Sequence, residues 1–140
     1  MNSWTAMGIA VVFVWLGMVL AISFLEAPLK FRAPDVTLPI GLGIGRLVYR
    51  AFNAVEVVLA TALLIAITAQ HSSAGVLVSA LIAIGALTIQ LIVVRPRLTR
   101  RSNAVLAGAD APRSHVHHAY VVLELLKAAA LIAAGVLLLQ

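Results

Sequence analysis

Four stretches of this chain are each long and apolar enough to cross a lipid bilayer, and nothing else in the sequence constrains the fold as strongly. They cover roughly residues 4–25, 45–69, 76–94 and 118–139. At ~1.5 Å per residue, ~20 helical residues traverse ~30 Å of hydrocarbon. Hydrocarbon offers no partner to backbone N–H and C=O groups, so each stretch must satisfy them internally, as an α-helix. The expected fold is all-α: a four-helix transmembrane bundle forming one integral membrane domain over residues 1–140. Nearly every position in the stretches is apolar, so length identifies the spans where periodicity does not.

Composition agrees. Hydrophobic residues make up 63% of the chain and charged residues only 11%, about half the charge of a soluble domain. The sequence contains no cysteine, which excludes disulfides, thiolate metal sites and thiol nucleophiles. The first span is expected to remain in place rather than act as a cleaved signal. It lacks a positive n-region, and its apolar run exceeds the usual h-region.

The net charge of +5 is concentrated beside two of the three connections. Lys30, Arg32, Arg46 and Arg50 flank the first, and Arg95, Arg97, Arg100, Arg101 and Arg113 fill the third. The second, "AQHSSAG", has no Lys or Arg. This placement follows the positive-inside rule rather than the layout of a nucleic-acid face. Both basic connections are therefore expected in the cytoplasm and both termini on the non-cytoplasmic side, with the chain multi-pass in the cell inner (cytoplasmic) membrane. The lipid bilayer is the expected partner, and nucleic acid is not. Pro28, Pro34 and Pro39 exclude a continuous helix across the first connection, and the arginine-rich third connection reads as a loop that anchors topology and touches anionic lipid.

Polar residues inside the spans are the candidate site. Glu26 closes the first span. Arg46, Arg50, Asn53 and Glu56 lie on the second, Gln90 near the cytoplasmic end of the third, and His117, His118, Tyr120, Glu124 and Lys127 on the fourth. Placing Glu56 and Lys127 ~12 Å deep makes lipid exposure costly, about 2.5–3.5 kcal/mol per charge at a helix centre. These residues should instead face a polar pocket, open to the cytoplasm and sealed outside by Leu, Ile, Val and Ala. His117, Tyr120, Glu124 and Lys127 follow one another at helical spacing, as a single stripe. Asn53 and Glu56 are neighbours one turn apart, and Arg46 and Arg50 extend that line toward the cytoplasm. One deep lysine faces two deep carboxylates, so a proton, an arginine or a cation must complete the balance. The N-termini of the second and fourth spans add partial positive charge at the rim. The rim should attract anions above an acidic floor.

Several motifs admit two readings. His117 and His118, with Glu124 or Glu26 as partner, offer imidazole and carboxylate ligands of the kind that bind zinc or iron, and the histidines alone could hold haem iron. His117 and Glu124 lie ~10 Å apart along the helix, however, and interfacial histidines that bond headgroups or loop backbone fit as well. Glu124 and Lys127 form either a proton-handling pair or an ion pair that sets packing register. "GLGIGR" lacks the preceding strand and the Gly-Lys-Ser/Thr ending of a phosphate loop. Gly41 and Gly45, like Gly75, Ser79 and Ala83, are spaced for close helix packing, internally or in a homo-oligomer. No Ser-His-Asp order indicates a hydrolase.

"WLGMVLAISFLEAPLKF", "GRLVYRAFNAVE", "RPRL" and "HHAY" occur in that order. Together they resemble a bacterial four-span membrane family of unknown function, similar to the transmembrane protein 205 group. Ala27-Pro28, Phe31, Arg46, Asn53, Pro96-Arg97 and His117 or His118 match its recurring positions. Glu26, Lys30 and "FRAPDVTLP" are particular to this chain. The resemblance implies the four-helix fold and no activity. Three functional readings follow from the residues: transport of a small ion or solute by a homo-oligomer, a membrane-embedded metal- or haem-dependent enzyme acting on a lipid-soluble substrate, or a structural partner subunit.

Overall fold

A computed structural model describes residues 1–108 and 115–140. It is an all-α four-helix transmembrane bundle: α1 (Ser3–Lys30), α2 (Leu38–Ala69), α3 (Ala74–Leu106) and α4 (His115–Leu139), each long and apolar enough to cross a membrane. Each helix has two flanking neighbours. α1 packs against α2 and α4, and α3 packs against α4 and α2.

The helices overrun their apolar stretches at the basic end. The third connection, expected as a loop, is largely helical: residues Arg95–Leu106 continue α3. Arg113 lies outside the described residues. Pro28 and Pro96 do not end their helices, because each follows a π-helical segment, Leu20–Glu26 in α1 and Gln90–Val94 in α3. Ala27 N–H donates to the Ile22 carbonyl and Arg95 N–H to that of Gln90, each five residues back. Proline lacks an N–H and crowds the carbonyl four residues before it. The wider π turn relieves that crowding and lets the helix pass. Pro39 sits in the first turn of α2, where a missing N–H costs nothing, and Thr37 caps that turn. The first connection thus breaks only between Lys30 and Leu38, where Asp35 turns the chain with φ 65°.

The surface is apolar: Leu47, Val58, Ile92 and Val122 are all exposed, as lipid contact requires. Inside, small residues bring the helices close. Ala80, Ala83 and Ala134 are fully buried, and Val12, Leu63 and Leu131 fill the layer between them. Gly135 makes room for the Phe13 ring, which a Cβ there would meet at 2.8 Å. Both small-residue sets serve internal contacts. A Cβ on Gly75 would meet Leu137 at 3.1 Å, and Ser79 and Ala83 are buried. Gly41 and Gly45 receive not another span but the preceding turn, with Phe31 against Gly41 and Lys30 Nζ against Gly45.

Candidate functional site

The expected polar residues divide into two places. At mid-bundle, Glu56, Gln90, Glu124 and Lys127 are each no more than 1% exposed. Lys127 lies twelve residues from either end of α4, so it sits ~18 Å from both. Gln90 likewise falls mid-helix, because α3 continues past the apolar stretch.

All four helices contribute to this network. Lys127 Nζ donates to Glu56 Oε2 at 2.5 Å and Gln90 Oε1 at 2.8 Å, and lies 2.5 Å from Glu124 Oε1. An ammonium has three N–H donors, and here each has an acceptor. Gln90 Nε2 donates to Glu124 Oε1 at 2.8 Å, Ser23 Oγ donates to Glu124 Oε2, and Trp15 Nε1 donates to Glu56 Oε2 at 2.8 Å. The Phe52 ring lies 5.6 Å from Lys127 Nζ, a cation–π contact. One group is left over. Glu56 Oε1 is buried without a hydrogen-bond partner among the described residues. Two carboxylates and one ammonium also leave one negative charge.

Toward the basic end lies a vestibule of about 160 Å³. Lys30, Arg46, Arg95 and Arg101 line it together with His117, Tyr49 and Tyr120. The Tyr49 ring is bracketed by cations, Arg95 at 5.2 Å and Lys30 at 5.9 Å, and meets Tyr120 edge-on at 5.6 Å. Tyr49 also joins the two places: its hydroxyl donates to Ser23 Oγ at 3.3 Å, and Ser23 donates onward to Glu124. The π segments carry Ser23 and Gln90, so both widened turns lie against the buried network. Beyond Trp15, Ser79 is the one buried polar side chain among the described residues before Thr5, Gln70 and Ser72 link at the opposite end.

Along the α4 stripe, His117 and Tyr120 line the vestibule, while Glu124 and Lys127 enter the network. The line on α2 divides: Arg46 lines the vestibule, whereas Arg50 and Asn53 border a neighbouring groove that shares Arg46, Arg95 and Thr99 with it, and Arg46 donates to Asn103 Oδ1 at 2.7 Å. Glu26 stays out of the network, 3.6 Å from Lys30 one turn on. The structure does not bring the proposed metal ligands together. Glu124 bonds Lys127, Gln90 and Ser23 below the vestibule, His118 is exposed, and the His117 and His118 rings lie 6.1 Å apart. Among the described residues, no three His, Asp or Glu side chains form a metal-ligating group. Two turns of helix separate His117 from Glu124, too far for a shared ion.

Sequence reasoning missed Trp15, Ser23, Tyr49, Lys30 and Arg95 as members of the site. Trp15 had a signal, since tryptophan belongs at the membrane interface and this one is mid-span. Ser23 lies one turn before Glu26 and gave none.

Fold and site together define a multi-pass membrane bundle built around a buried ionic network with a cationic vestibule at one end. No protein-family model matches the chain, and no curated protein or solved structure matches it.

Proposed function

We propose that this protein transports a small ion or solute, with the Glu56–Lys127–Glu124 network taking up and releasing a proton or cation. The observation that carries this reading is the surplus carboxylate at mid-bundle. An ion pair that only fixed helix register would need one acid per base, and a buried unpaired charge is strongly destabilising. A proton on Glu56 Oε1, the one oxygen of this network without a partner among the described residues, neutralises the network. A bound cation there would do the same. The Tyr49–Ser23–Glu124 hydrogen bonds supply a route from the vestibule.

The positive-inside rule turns the vestibule to the cytoplasm and both termini outward, in the inner membrane. A homo-oligomer belongs to this reading, since a second copy would complete an exit that the apolar half of one bundle lacks. The small-residue faces are used internally, so the copies would meet through other apolar faces. Membership of the four-span family resembling the transmembrane protein 205 group is likewise proposed.

Proteoliposomes containing a trapped pH-sensitive dye test the reading. Under imposed sodium, potassium, chloride and phosphate gradients, wild-type vesicles should show proton flux above empty ones. Glu56→Gln should lose it while melting as a folded protein. Flux equal to that of empty vesicles across the panel, or a Glu56→Gln variant as active as wild type, would refute it.

A further inference from the structure

The vestibule holds a donor with nothing to bond. Tyr120 is 7% exposed and lines the cavity, yet its hydroxyl has no hydrogen-bond partner among the described residues. Buried hydroxyls are normally satisfied, and leaving one open is costly. Around the same cavity stand Lys30, Arg46 and Arg95, with the hydroxyls of Thr99 and Ser102; no carboxylate lines it among the described residues, and Glu26, 3.6 Å from Lys30, offsets one of these cations. Cations, hydroxyl donors and an open phenol all ask for an acceptor bearing negative charge.

We infer that the vestibule binds a small oxyanion, a phosphate or carboxylate head, with Tyr120 as its innermost donor. Guanidinium forks match the paired oxygens of either group. The oxyanion reaches the site as a free solute or as the phosphate of a lipid headgroup. Arg95 and Lys30 are already held against the Tyr49 ring, so much of their ordering precedes binding. The inference deepens the transport reading by naming its cargo, and in that respect rests on it.

The test uses purified full-length protein in non-ionic detergent, titrated at constant ionic strength with inorganic phosphate, acetate or dihexanoyl phosphatidic acid. Calorimetry and thermal melting report binding. At least one of these should bind and raise the melting temperature. Tyr120→Phe should weaken that binding about tenfold, the loss of one hydrogen bond to a charged group, without lowering the melting temperature of the unliganded protein. Arg95→Gln should abolish binding. Arg50→Gln, which borders the neighbouring groove but not the vestibule, should bind as wild type does. Response to inorganic phosphate or acetate identifies a free solute, and response to the phosphatidic acid alone identifies a headgroup; either supports the site. No response beyond the ionic-strength control, or a Tyr120→Phe variant that binds as tightly as wild type, overturns it. Binding in a protein that carries no flux would leave this site standing and remove the transport reading. Flux without binding would do the reverse.

Discussion

The buried network and the vestibule are about two helical turns apart on α4, yet they solve opposite problems. In the network each Lys127 N–H has an acceptor, and Gln90 is bonded through both its oxygen and its nitrogen. In the vestibule several cations share a cavity and a buried phenol is unbonded. Closed polar networks hold a fold together, because losing one member strands the others in a medium that cannot solvate them. Open ones await something from outside. The comparison therefore predicts that removing Lys127 or a donor to the two carboxylates costs mainly stability, that Glu56→Gln, at the oxygen the network leaves open, spares the fold, and that substitutions in the vestibule cost mainly binding.

The largest effect should come from Lys127→Met. It leaves two carboxylates facing each other in a dry interior, and breaking a buried pair in this way costs about 3–5 kcal/mol. Thermal or denaturant unfolding in detergent should show that loss, and a variant as stable as wild type would mean that the network is not closed. Ser23→Ala comes next. It removes one donor to Glu124 and the link to Tyr49, costing about 1–2 kcal/mol, and should slow proton flux more than Tyr120→Phe does. Gly41→Ala should have the smallest effect on stability, within about 1 kcal/mol. Its Cβ would come within 2.1 Å of the Phe31 ring, but Phe31 is 41% exposed and can swing away. The vestibule wall would move with it, so oxyanion affinity should fall while the melting temperature barely changes. A large loss of stability there would erase the proposed division of labour.

The spans were legible because bilayer thickness imposes a length, and the α4 stripe because a helix repeats every 3.6 residues. Glu56 and Lys127 were legible as interior groups because lipid excludes charge. Other features were hidden. The Arg95–Leu106 helix looked like a loop because charge and proline usually mark one, and a π turn that carries a helix past proline has no obvious composition. Asn53 and Glu56 sit one turn apart on α2, yet one borders the outer groove and the other enters the core. A span apolar on all sides gives no periodic signal for the difference.

The sequence alone thus determined that the chain is a four-helix membrane bundle with charged groups turned inward, since the thickness and low polarity of hydrocarbon act on each segment separately. Only the tertiary structure decided that Lys127 bridges Glu56 and Glu124, that Trp15 and Ser23 complete their hydrogen bonds, and that the arginines gather around a vestibule instead. Those pairings depend on how four helices are rotated against one another. Packing among small residues such as Ala83, Ala134 and Gly135 sets that rotation, and no helix carries it by itself.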